Sequence, residues 1–186
     1  MKNILIISGH PDLGTSVANA TILNEVARAL PEAEIRRLDS LYPDYRFDIA
    51  AEQNALRRAD VIVFQFPFSW YSVPGLLKLR LDEVFLHGFA HGSTAELGGK
   101  KLLLSFTTGA PAAAYQKDGF FKHTIDDFLP PFATLATLCN LDFVAPIYTC
   151  GISYVGREDT AAINAQKDQA RDHAARLIAQ IKAIAA

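Results

Sequence analysis

What most constrains this chain is an alternation: short β-branched or leucine-rich runs separated by longer segments of helical period. The runs are Asn3 to Ser8, Glu34 to Leu38, Val61 to Phe66, Lys101 to Phe106 and Phe143 to Tyr148. Near-continuous apolar runs of this length are strands buried on both faces, so the pattern predicts an α/β fold with a parallel sheet covered by helices on each side. At 186 residues one such core is expected, with no internal boundary.

The helices are legible from spacing. Ala20, Leu23, Ala27 and Leu30 give Ser16 to Leu30 one apolar face, with Ser16 as the candidate cap. Pro74 precedes a stripe at Leu77, Leu81, Val84 and Phe85. The segment Glu158 to Ala186 repeats apolar residues at Ile163, Ala170, Ala174, Leu177, Ile181 and Ile184, behind a cap at Asp159 or Thr160. It is expected to close the sheet.

Charge narrows the function classes. Eighteen basic and 20 acidic residues leave a formal charge of −2 and no basic stripe, which argues against a nucleic-acid partner. Cys139 and Cys150 form no CxxC pair, as in a reducing compartment. The apolar run Ile4 to Ile7 is too short for a signal or membrane segment, and the charge-poor stretch Phe128 to Ile152 is broken by Pro130, Pro131 and Pro146. These features point to a soluble, cytoplasmic protein.

In an open α/β sheet, ligands bind beyond the carboxyl ends of the strands where the strand order reverses, so the loops after strands one, three and four are informative. The first, Gly9 to Asn19, feeds a helix N-terminus, where amide groups and the helix dipole favour an anion. It holds no Lys or Arg, so a phosphate there would rest on neutral donors beside His10. Taken alone, Ser16 serves equally as an ordinary helix cap and His10 as a turn residue. The second loop, Pro67 to Pro74, carries Phe68, Trp70 and Tyr71, which suit either a planar ring or a cover over the sheet edge. The third, Thr107-Thr108-Gly109-Ala110-Pro111, offers small residues and hydroxyls, and by itself is a turn.

Together the three loops carry a resemblance. HP at His10-Pro11, S-x-x-N at Ser16 to Asn19, LYPD at Leu41, DIAAEQ at Asp48, RAD at Arg58, WYSVPGLLKLRLDEVF from Trp70, HGFAHG from His87 and TTG at Thr107 resemble the flavodoxin-like NAD(P)H:quinone oxidoreductases. Nearest is the ancillary oxidoreductase subunit of glutathione-regulated potassium-efflux systems. The resemblance implies a flavodoxin-like three-layer sandwich with a five-stranded sheet in order 2-1-3-4-5. It implies FMN, with FAD the alternative: His10, Ser16, Val17, Ala18 and Asn19 around the phosphate, Phe68, Ser69, Trp70 and Tyr71 along the ring, and Thr107, Thr108, Gly109 and Ala110 near its pyrimidine end. It further implies ping-pong hydride transfer from NAD(P)H to flavin N5 and on to a quinone, with Tyr115 as the catalytic tyrosine. Ala110 stands where the family has glycine, and Phe121 where related enzymes have histidine, with His123 two residues on. A homodimer with the flavin at its interface is implied, burying the aromatic loop and the Phe128 to Ile152 stretch. A regulatory role on a potassium-efflux transporter is the alternative function.

Three other features are discounted. His87 and His91 lack a third ligand beside closing glycines, so metal binding is not expected. Asp126-Asp127 reads as a helix-terminus or solvated pair, and Cys139 and Cys150 as packing residues.

Overall fold

The computed structural model describes residues 2–153 and 159–186. Its five strands are β1 (Ile4–Ser8), β2 (Glu34–Arg37), β3 (Val61–Pro67), β4 (Lys101–Thr107) and β5 (Asp142–Thr149). They form one parallel sheet in the order β2-β1-β3-β4-β5. Each expected strand is present, with ends within one residue of the expected bounds.

The helices are α1 (Ala18–Ala29), the one-turn α2 (Leu38–Leu41), α3 (Ile49–Arg58), α4 (Gly75–Val84), α5 (Pro130–Leu138) and α6 (Thr160–Ala185). Strand alternation divides the core between them. Ile4, Ile6, Val61, Val63 and Leu103 pack against α1 and α6 with Ile22, Val26, Ala174 and Leu177. Leu5, Ile7, Ile62, Phe64, Phe66, Leu104 and Phe106 face α3, α4 and α5. Each such side chain, fully withdrawn from water, contributes roughly 1.5–3 kcal/mol.

Helix α1 begins two residues later than expected, yet Ser16 performs the predicted role. Its backbone is extended at φ −96°, and its Oγ accepts the Asn19 amide at 3.1 Å. Pro74 sits at the cap position, immediately ahead of the first turn of α4. For α6, Asp159 accepts the Ala161 amide at 2.8 Å, and Ala170, Ala174, Leu177 and Ile181 are buried as the spacing predicts. The expected start at Glu158 lies outside the described residues. Helices α2, α3 and α5 were not drawn from the sequence. Asp48 caps α3 through the Ala51 amide at 2.9 Å, but the stripe that follows is mostly alanine and charge.

Strand β5 is an edge. Leu103 pairs with Val144 and Ser105 with Ile147, so Ala145 and Pro146 together face Leu104 and make a bulge. Pro146 has no amide hydrogen for the ladder, which explains why the irregularity falls there.

Asp127 closes a capping box with Thr124 at the 3₁₀ turn Ile125–Phe128, the helix-terminus role expected of it. The Lys117 ammonium and the Thr124 amide hold its carboxyl at about 2. Cys139 is buried in the core. His87 and His91 meet edge to face, and among the described residues no group of three or more His, Cys, Asp or Glu side chains is placed to hold a metal. No helix among the described residues is long and apolar enough to cross a membrane.

Candidate functional site

The carboxyl ends of β1, β3 and β4 bring the three loops together around one trough. Its two cavities, of about 470 Å³ and 330 Å³, share Phe68, Gly109 and Ser153.

The smaller cavity is the polar end. His10, Ser16, Val17, Ala18 and Asn19, expected around a phosphate, line it together with Ser69 and Thr107, which were expected along a ring and at its pyrimidine end. Gly9 makes the approach possible: a Cβ there would sit 2.7 Å from Leu77, so only glycine lets β1 turn this close to α4. His10 Nδ1 accepts the Asp12 amide at 3.1 Å, which assigns the ring proton to Nε2. Ser16 has taken the Asn19 amide, and the first-turn amides of Val17 and Ala18 precede any carbonyl of the helix.

Behind this wall runs a neutral network. Gln65 Nε2 donates to Asn19 Oδ1 at 2.6 Å, and Asn19 Nδ2 donates to both Ser16 Oγ and Thr107 Oγ1 at 3.3 Å. Having accepted from Asn19, the two hydroxyls keep their own protons to donate elsewhere. Among the described residues lining both cavities there is no Lys, Arg, Asp or Glu. The polar end can therefore hold an anion only through neutral donors and the α1 dipole.

The larger cavity is aromatic. Phe68, Trp70, Tyr71, Tyr115 and Phe121 line it with Gly109 and Ala110. Tyr71 lies stacked on Phe128 at 5.3 Å and meets Phe68 edge to face, while Trp70 is 93% exposed. A turn produces this display. The Ser69 and Ser72 amides each donate to the other's carbonyl at 3.0 Å, and Trp70 and Tyr71 between them have φ of 47° and 64°. Two consecutive positive φ values make a type I′ turn, normally built from Asn-Gly. The turn itself, more than its flanking prolines, fixes the loop. Part of the cluster also covers the sheet end, since Phe68 packs on Phe106 at 5.1 Å.

Tyr115 is buried, and burial pushes its phenol pKa upward, so the hydroxyl stays protonated. Phe121 packs against Tyr115 at 4.9 Å and joins the cavity wall. His123 instead lies out at Asp127, at 3.6 Å, and is absent from both linings.

Thr108 differs from its expected place. It lines neither cavity: its amide donates to Thr149 O at 2.9 Å and its hydroxyl to Ala110 O at 2.9 Å, so it builds the turn from inside. Ile152, Ser153 and Gln166 line the polar end and were missed. The loop after β5 ends on the same side of the sheet as the other three, and that topology was the available signal for Ile152 and Ser153. Gln166, on α6, gave none.

A family model described as the flavodoxin-like fold matches residues 2–174. Among solved structures, the general stress protein 14 of Treponema denticola in complex with FMN is 33% identical, with 98% of this chain and 99% of that chain covered at a TM-score of 0.85. A chain named as the thermophilic tryptophan halogenase of Streptomycin violaceusniger is 32% identical over 91% of this chain and 97% of that one, at 0.79. An NADPH-quinone reductase from P. pentosaceus is 25% identical over 94% and 96%, at 0.70.

Proposed function

The chain belongs to the flavodoxin-like family, and from that premise we propose that it is an FMN-dependent NAD(P)H:quinone oxidoreductase. One observation carries the reading: a single trough joins a neutral-donor end at the α1 N-terminus to an aromatic end open to solvent. The donor set suits one phosphate, with His10, Ser16, Asn19 and the Val17 and Ala18 amides around it. The FMN complex of a protein 33% identical to this one supports the same cofactor.

Bound FMN would supply two-electron hydride chemistry, taken from NAD(P)H and passed to a quinone in ping-pong order. The protein's part is to bind and orient. Phe68, Trp70 and Tyr71 would lie along one side of a planar ring with Ser69 toward the phosphate end, and Gly109 and Ala110 would let its polar edge approach the backbone. The Thr108 amide is committed to Thr149, so the remaining donors at that edge are the Gly109 amide and the Tyr115 hydroxyl, which burial keeps protonated. Phe121 offers no proton, so this site works without a ring donor there.

We extend the reading to a homodimer. Trp70 at 93% exposure and Phe120 at 85% rim the open aromatic end, and a second copy seated there would cover both. Sedimentation at micromolar concentration should give twice the chain mass; a monomer there refutes this extension.

Release of the cofactor by denaturation should yield FMN, and NADH or NADPH should bleach the visible absorbance until a quinone restores it. Absence of flavin, or a flavin that neither nicotinamide bleaches, overturns the reading. Recovery of FAD would correct the cofactor and leave the reaction standing. Halogenation of tryptophan without quinone-dependent nicotinamide oxidation would favour the activity named for the second similar structure.

A further inference from the structure

The buried imidazole of His173 lies on α6, the helix farthest along the chain from the loops of the site, and nothing in the reaction above uses it. Its two ring nitrogens meet hydroxyls of two different strands: Nε2 with Ser105 Oγ of β4 at 2.8 Å, and Nδ1 with Thr149 Oγ1 of β5 at 2.9 Å. Arg176, one turn on, donates from Nη2 to the same Thr149 hydroxyl at 2.7 Å and to Tyr148 O at 3.0 Å. A neutral imidazole has one N–H, so one nitrogen donates and the other accepts, and both strands are held by one ring.

The location of this tie matters. It falls just past the bulge, where Ala145 and Pro146 face Leu104 and the β4–β5 ladder has shifted register. Beyond it, Thr149 O accepts the Thr108 amide at 2.9 Å, Thr108 O accepts the Ile152 amide at 2.8 Å, and Ala110 O accepts the Gly151 amide at 2.8 Å. The turn whose Gly109 borders both cavities thus hangs on the end of β5, and that end hangs on α6. Gln166, also on α6, donates to Ser153 O and extends the same support to the polar cavity.

We propose that His173, assisted by Arg176, is a positioning residue that holds the Thr107–Ala110 turn in place across the β5 bulge. Side chains whose rotamers are locked from behind keep a site within the fraction of an ångström that orientation demands. The consequence for the flavin rests on the function proposed above; the clamp itself does not.

The test compares wild type with His173→Leu, which keeps an apolar side chain of similar bulk and removes both hydrogen bonds, and with Thr149→Val, which keeps the histidine and removes the shared hydroxyl. Backbone hydrogen exchange should accelerate at Thr108, Gly151 and Ile152 by about tenfold, the effect of a buried hydrogen bond or two, while the β1 amides stay protected. In the FMN-loaded protein the visible circular dichroism of the flavin should change, and its midpoint potential should move, with the thermal midpoint lowered modestly. Should His173→Leu fail to fold, Thr149→Val and the exposed Arg176→Gln carry the same comparison. Unchanged exchange at Thr108, Gly151 and Ile152, or exchange that rises uniformly through the sheet, overturns the clamp. If exchange rises locally while wild type binds no flavin, the clamp stands and the functional reading falls. A local rise with flavin dichroism and potential unchanged overturns the positioning role.

Discussion

Two polar assemblies are buried on opposite faces of the same sheet, and they are built on different principles. On the α1/α6 face, Ser8, Gln65 and Ser105 occupy one register row across β1, β3 and β4, fully buried and neutral, with Asn19 and His173 reaching down to them. On the α3/α4 face, the Glu52 carboxylate is buried between charges: Oε1 accepts from Arg36 at 2.7 Å and Tyr42 at 2.8 Å, and Oε2 from Arg80 at 2.6 Å. Burial alone would raise the Glu52 pKa, yet Arg80 and Arg36 hold it below the usual carboxylate range. The neutral row ends at the trough and shapes its donors. The charged cluster touches neither cavity and fastens helices to β2. Neutral groups can be redirected toward a ligand at small cost, whereas a buried charge is bound to its counter-charge.

The largest break in this contrast is Glu52→Ala. The buried Arg80 guanidinium loses the carboxylate it packs against and Arg36 is left with Glu34 as its only carboxylate among the described residues, so urea denaturation should report a loss of about 3–5 kcal/mol. Flavin affinity of the surviving folded fraction should stay near wild type.

Second comes acid. Burial, followed by the positive charge of Arg176, depresses the His173 pKa from 6.5 to about 3. A depressed histidine supports stability above its unfolded pKa, because there both states are neutral. As pH falls through 6.5 the unfolded chain binds a proton that the folded one refuses, so stability declines toward about pH 3. Carboxylates such as Glu52 add their own acid loss, so the informative quantity is the difference between wild type and His173→Leu. The variant's stability should fall less steeply between about pH 6 and 4; parallel curves would mean the imidazole already protonates in the fold.

Asn19→Ala should cost about 1–3 kcal/mol in thermal denaturation, since it orphans the buried Gln65 amide. It should weaken FMN binding more than Glu52→Ala does, and equal effects on binding would erase the functional distinction between the two faces.

Smallest is a gain. Trp70→Asn with Tyr71→Gly places favoured residues in the type I′ turn, and stability should rise by about 1–2 kcal/mol as the positive φ strain is relieved. Activity should fall with the loss of the aromatic wall.

Much of this was legible in the sequence, for identifiable reasons. Strands β1, β3 and β4 announced themselves because burial on both faces forces unbroken apolar runs, and Ser16 announced the start of α1 because capping is local. Helix α3 was missed because alanine, Glu52 and two arginines blur its stripe, and its buried glutamate reads as solvent-facing until Arg80 is placed beside it. The networks were illegible because their partners are distant: Asn19 and Thr107 are 88 residues apart, and Ser105 and His173 are 68 apart. The Trp70-Tyr71 turn was hidden because its residues are those least expected at positive φ.

The irregularity in β5 has a consequence for self-association as well. As the outermost strand beyond β4, β5 turns a row of backbone groups toward neighbouring molecules, the template on which aggregates grow. Pro146 interrupts that row and the bulge twists it out of line, so a foreign strand finds no continuous partner. The same proline that interrupts the β4–β5 ladder also blunts the free edge of β5 against pairing of one copy with another.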